Sequence, residues 1–169
     1  MSRIASAGSR RAKLEMRFTT SIAPLNRAWR RVVEQALRRS CGYSLSLMWP
    51  LVALFRFGDG KRHGDLAELV GVEAPSLVRQ LATLESLGLI MRRDDKEDKR
   101  VKTVHLTGTG RALARENEEL LKRLRRELLG NLSDRELEAT CGVLQAFDAA
   151  LTRFESNPQP VLSAVLAKS

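Results

Sequence analysis

The segment HGDLAELVGVEAPSLVRQLATLESLGLI, residues 63–90, constrains the fold of this 169-residue chain more than any other stretch. Leu66, Leu69 and Val70 recur at helical spacing, and Gly71 then permits a tight turn. Pro75 suits the first turn of a second helix, where its missing N–H costs nothing. Leu77, Leu81 and Leu84 give that helix an apolar stripe, and Gly88 stops it. Two short helices joined by a glycine turn form a helix-turn-helix, with Ser76, Arg79, Gln80 and Thr83 on the outer face of the second.

The residues immediately after the helix pair narrow the choice. Two runs of β type, Leu89–Met91 and Val101–Leu106, flank nine consecutive charged residues, Arg92–Arg100, so a hairpin is expected with the charges at its tip. A helix-turn-helix leading straight into a hairpin is a winged helix. The nonamer holds five basic and four acidic residues, a net charge of about +1. That is too little for a nonspecific polycation, but it suits a shaped device in which carboxylates orient arginines through paired hydrogen bonds. The alternative is a solvated tip whose charges only deter edge-to-edge aggregation.

Helical patterns flank the module. Residues 1–17 carry five basic residues, one acid and almost no apolar periodicity, and read as a basic arm without regular structure. From Thr20 to Arg39, Ile22, Leu25, Trp29, Val32 and Ala36 repeat every three or four residues. A second helix is expected through LSLMWPLVALFRF, where Pro50 should fall in the first turn or bend the helix, and Gly58 and Gly60 should end it. Past the hairpin, Leu113, Leu120, Leu124 and Leu128 form one stripe. Ser133 with Glu136 makes a capping box for a last helix bearing Leu137, Cys141, Leu144, Leu151 and Phe154. Residues 157–169 hold two prolines and read as a flexible tail.

The expected fold is therefore mainly α with a small β-hairpin wing. Residues 44–106 form a winged helix-turn-helix, and residues 18–43 and 107–156 form helical dimerisation regions, because the central module is too small to cover their stripes. Intramolecular packing of those stripes is the competing arrangement.

Composition restricts the partners. Lysine and arginine outnumber aspartate and glutamate by 29 to 20, so polyanions are favoured, and nucleic acid and anionic membrane both qualify. No apolar run approaches the roughly 18–20 residues that cross a bilayer, and the first residues lack the apolar core of a signal peptide, so a cytoplasmic protein that does not use a membrane is expected. Cys41 and Cys141 stand in no metal-ligand spacing and read as buried small hydrophobes, with redox sensing as the alternative. His63 and His105 have no companions for a metal or a catalytic base and read as structural. No phosphate loop, nucleophile–base motif or isolated carboxylate pair supports an enzyme, and no cofactor is expected.

The stretch LAELVGVEAPSLVRQLATLESLGLIMRRDDKEDKRVKTVHLTGTGRAL closely resembles the core of the MarR family of bacterial transcriptional regulators, and PSLVRQLATLESLGLI is most similar to its SlyA-type branch. Four elements stand in family order: the LA helix, the PSLVR recognition helix, the GLI-x-R strand and the Asp-x-Arg wing followed by LT-x-x-G. The resemblance implies a homodimer whose terminal helices interlock and whose winged lobes straddle a pseudo-palindromic operator on double-stranded DNA.

It also implies roles for residues. Ser76, Arg79, Gln80 and Thr83 would meet phosphates and base edges; arginine can grip guanine and glutamine adenine, each worth roughly 1–3 kcal/mol of discrimination. In the Asp-x-Arg motif, here Asp98, Lys99 and Arg100, the aspartate holds the arginine extended into the minor groove, where a narrow AT-rich groove focuses negative potential. Arg92, Arg93, Lys96 and Lys99 would add phosphate contacts. Arg27, Trp29, Arg30 and Trp49 lie on elements that line an effector crevice in SlyA-type relatives, and would suit a small aromatic anion by stacking and charge pairing. The function expected is sequence-specific transcriptional regulation, as repressor or activator. The alternatives are an architectural protein that coats DNA without sequence preference and a helical interaction protein.

Overall fold

The structure, a computed structural model, describes residues 2–95 and 98–157, with side chains described from Arg10 onward. The described residues form six helices and a three-stranded sheet. In chain order they are α1 (Ser2–Cys41), α2 (Leu45–Phe57), β1 (Lys61–Arg62), α3 (His63–Val70), α4 (Ala74–Ser86), β2 (Ile90–Asp94), β3 (Lys102–Leu106), α5 (Gly108–Leu129) and α6 (Asp134–Ser156). The chain divides into two compact units, residues 1–123 and 124–169.

The first unit has the winged-helix arrangement that its pattern predicts. Gly71 ends α3 in the left-handed conformation at φ 67°, and Pro75 stands in the first turn of α4. Leu66 of α3, Leu77, Leu81 and Leu84 of α4, and Leu51 and Leu54 of α2 are all buried, as are Ile90 and Val104 of the sheet. Burying a side chain of this size contributes about 1.5–3 kcal/mol, so the interlocked leucines hold the helix pair on α2 and the sheet. The sheet order is β1-β3-β2, all antiparallel, with Ile90 opposite Leu106 and Asp94 opposite Lys102.

Several elements depart from the expected pattern. Residues 2–17 continue α1 as helix instead of forming an unstructured arm. The residues of α1 buried in the single chain are Val33 and Leu37, whereas the anticipated stripe stays at the surface, with Leu25 70% exposed. Pro50 lies in the second turn of α2 and is buried. The wing has a third strand, β1, too short to leave a periodicity, and β2 runs three residues into the charged nonamer. The buried residues of α5 are Gly110, Ala114, Asn117, Glu118 and Leu121, a face adjacent to the expected leucine stripe. Cys41 is half-buried and Cys141 exposed, so the second is not a core residue.

Polar ties fix the helix ends. Ser44 accepts the Leu47 N–H at the start of α2, and the Glu34 carboxylate of α1 accepts the Leu45 N–H at 2.6 Å. That backbone hydrogen bond, with Arg38 beside it, holds the Glu34 carboxyl below its ordinary pKa. Arg56 of α2 reaches Glu118 of α5 at 2.5 Å. In the second unit, the Ser133–Glu136 capping box opens α6 as expected, and no residue of α6 is buried. Residues 158–169, most of the anticipated tail, lie outside the described residues.

The tightest approach is where α5 begins. A Cβ on Gly110 would lie 1.8 Å from the Leu89 carbonyl oxygen, so only glycine lets this turn of helix rest on the backbone. Thr107 completes the joint: its N–H donates to Leu89 O at 3.1 Å, its hydroxyl donates to Gly88 O at 2.7 Å, and it accepts the Gly110 N–H at 3.0 Å. Gly108, in the same turn, has nothing within 4 Å of such a Cβ. Gly110→Ala should therefore lower stability by about 1–3 kcal/mol or more, as overpacking against backbone does. Gly108→Ala should be neutral or slightly stabilising. Thermal denaturation of the two variants checks this; equal midpoints would contradict the contact.

Candidate nucleic-acid interface

The outer face of α4 is built by subtraction. With Leu77, Leu81 and Leu84 buried, Arg79 and Thr83 are exposed, and Ser76 and Gln80 are half-buried beside them. The Thr83 hydroxyl donates back to the Arg79 carbonyl at 3.1 Å, so part of its capacity is spent within the helix. The Gln80 side-chain oxygen is buried without a hydrogen-bond partner among the described residues, so that end of the amide faces protein. Of the four predicted positions, Arg79 alone carries a charge, and it is exposed.

The wing sorts its charges by partner. Asp94 pairs with Lys102 across the β2–β3 ladder. Arg92, half-buried, places Nε 3.3 Å from Oε2 of Glu85 near the end of α4, so it ties strand to helix and is not a free phosphate ligand. Arg93 and Lys99 are exposed. Lys96 lies outside the described residues. Arg100 projects: its side chain is 95% exposed, with Nε 3.5 Å from Asp98 Oδ1, and that carboxylate also accepts the Arg100 backbone N–H at 3.0 Å. Asp98 and Arg100 are thus brought together as the motif requires.

Residue type and spacing do not reveal the anchors of this wing. The Arg62 guanidinium donates through Nε and Nη2 to the two oxygens of Asp95, at 3.3 and 3.1 Å, fastening β1 to the start of the wing turn. Asp59, in the turn before β1, accepts the Leu106 N–H at 2.8 Å and the Arg111 guanidinium at 2.8 Å. His105 lies 2.9 Å from the Thr103 hydroxyl and fills the space over Gly60, a structural role as expected. The two acidic anchors pair with residues distant in sequence, and no local spacing announces them.

The anticipated effector residues are less concentrated. On α1, Arg27 and Arg30 are exposed and Trp29 is half-buried; on α2, Trp49 is half-buried. Among the described residues, no group of three or more His, Cys, Asp or Glu side chains could hold a metal ion. No helix among them is long and apolar enough to cross a membrane.

A family model described as the MarR family matches residues 51–102. Among solved structures, the transcriptional regulator PA3341 is 33% identical to this chain; the match covers 80% of this chain and 98% of that one, with a TM-score of 0.75. A MarR transcriptional regulator from Methanosarcina mazei Go1, 20% identical over 80% of this chain and 96% of its own, has a TM-score of 0.67. S. aureus MepR in complex with DNA, 21% identical over 79% of this chain and 96% of its own, has a TM-score of 0.70. The last two likenesses bear on the fold alone.

At the joint between α3, α4 and β2, His63 of α3 faces Arg92 of β2 and Glu85 of α4. Burial first, and then the Arg92 guanidinium, push His63 below its ordinary value of 6.5, while Glu85 acts the other way. A histidine whose folded pKa is depressed binds fewer protons folded than unfolded, so its contribution to stability is complete above about 6.5 and is lost as pH falls through the folded value. As pH falls below about 6.5, the wild-type protein should lose stability more steeply than His63→Gln. Chemical denaturation at several pH values measures the difference; parallel curves would contradict a desolvated His63.

Proposed function

This chain belongs to the MarR family of transcriptional regulators, and from that premise we propose that it acts as a homodimer that recognises a pseudo-palindromic operator by sequence. The observation that carries the reading is the combination of an exposed Arg79 on α4 with a projecting Arg100 that Asp98 holds at the wing. In the proposed complex α4 enters the major groove, where Arg79 reads a base edge, with Ser76, Gln80 and Thr83 beside it. Arg100 enters the flanking minor groove, and Arg93 and Lys99 meet phosphates.

Dimerisation is supported by apolar residues that one chain leaves uncovered: Ile22, Leu25 and Val32 on α1, and Val143, Leu144 and Leu151 on α6. Exposed stripes of this kind are commonly buried against a second copy. A small aromatic anion is proposed as effector, with Trp29 and Trp49 as stacking faces and Arg27 and Arg30 as charge partners. A SlyA-type affiliation and a cytoplasmic location belong to the same reading.

A base contact carries discrimination, whereas losing a phosphate contact weakens binding to all sequences alike. Arg79→Ala should therefore lower affinity for the operator by about 1–3 kcal/mol while leaving affinity for random duplex nearly unchanged. Fluorescence titration on both duplexes, run to saturation, reads this and the stoichiometry together. Two chains per operator and a selective loss are expected. An equal loss on both duplexes would remove Arg79 from base reading, and one chain per operator would exclude the dimer.

A further inference from the structure

Among the described ion pairs of the wing, the Arg62–Asp95 contact is the one in which both nitrogens of a guanidinium edge meet both oxygens of a carboxylate. Asp95 has a side chain only 14% exposed, and both its oxygens receive the Arg62 guanidinium in a two-point grip. Oδ1 also accepts the Asp98 backbone N–H at 3.2 Å. From there the contacts continue: the Val101 N–H donates to Asp98 O, the Arg100 N–H donates to Asp98 Oδ1, and Arg100 Nε lies 3.5 Å from the same oxygen. Across the hairpin the Asp95 N–H donates to Val101 O at 2.9 Å, closing the turn. A continuous run of contacts thus leads from β1, beside the first residue of α3, to the exposed Arg100.

We propose that Arg62 and Asp95 are positioning residues for DNA recognition: their two-point ion pair fixes the direction of the wing turn and so aims Arg100. The inference rests on the minor-groove role proposed above for Arg100 and assigns the residues that set its direction. A bidentate guanidinium–carboxylate pair restrains orientation as well as distance, which a single-point lysine contact does not. β1 hydrogen-bonds to β3 and leads without a gap into α3, so the clasp references the wing to the helix-turn-helix itself.

Simple electrostatics and the clasp predict opposite signs. Asp95→Asn removes a negative charge from a DNA-facing module, which by charge alone tightens binding at low salt. If the clasp aims Arg100, the same change weakens operator binding, by about 3- to 10-fold, and Arg62→Gln does likewise. In an Arg100→Ala background neither substitution should change affinity by more than about twofold, because nothing is left to aim. The measurement is operator titration of the wild type, the three single variants and the two doubles at two salt concentrations, with circular dichroism confirming that each is folded. If Asp95→Asn does not fold, the Arg62→Gln pair of variants carries the test. Tighter or unchanged binding by Asp95→Asn overturns the proposal, as does a loss of the same size with and without Arg100. If Arg100→Ala alone leaves operator affinity unchanged, the minor-groove reading itself fails, and the clasp loses its role with it.

Discussion

The seating of α5 on the backbone of Leu89 is the constraint from which the DNA-binding lobe is built. Leu89 comes directly after the glycine that stops α4, and Gly110 lies in the first turn of α5, so the exit of α4 and the entry of the long helix meet at one carbonyl. Thr107 bridges the same point through its N–H and its hydroxyl. The hairpin between them, β2 and β3, must then leave and return at a fixed place. Its apolar residues Ile90, Val104 and Leu106 are buried in the core while its charges go to the far end. The base of the wing is held here.

Among the described residues of the wing, four ion pairs each have a different destination. Asp94–Lys102 spans the ladder, Arg92–Glu85 ties the strand to α4, Arg62–Asp95 ties the turn to β1, and Asp98–Arg100 is the pair left projecting. Ion pairs at a surface add little to stability. Their value is directional: acids placed beside arginines fix where guanidinium groups point, which a run of lysines and arginines alone would not do. The near-neutral charge of the nonamer is thus consistent with shape, and the overall excess of basic residues is supplied elsewhere, α1 carrying many of them.

The elements legible in the sequence are those whose signal is local. Gly71, Pro75, Gly88 and the three leucines of α4 each act within a few residues, and together they define the helix-turn-helix; Ser133 and Glu136 do the same for the start of α6. The Asp98–Arg100 pair is expected from the family resemblance of the Asp-x-Arg motif, and not from spacing alone. The remainder depends on distance in sequence. The two residues of β1 become a strand only because β3 lies alongside, and Arg62 meets Asp95, like Asp59 its Arg111, only once the sheet has formed. The α1 stripe is a different case. Its periodicity is genuine, but in the single chain the neighbouring face bearing Val33 and Leu37 is the buried one, so periodicity reveals an apolar surface without identifying what covers it. Residues 2–17 are helical without an apolar stripe, and so leave no periodic signal; a continuation of α1 needs none, because it extends turns that are already nucleated.

DNA recognition in this reading rests on a division of labour between α4 and the wing, and a footprint of one operator by wild type and Arg100→Ala tests it most directly. Hydroxyl radicals report on the minor groove and dimethyl sulfate on guanine N7 in the major groove. At protein concentrations adjusted for equal occupancy, Arg100→Ala should lose the flanking hydroxyl-radical protections and keep the guanine protections beneath α4. An unchanged hydroxyl-radical footprint, or loss of both signals together at equal occupancy, would contradict the assignment of Arg100 to the minor groove.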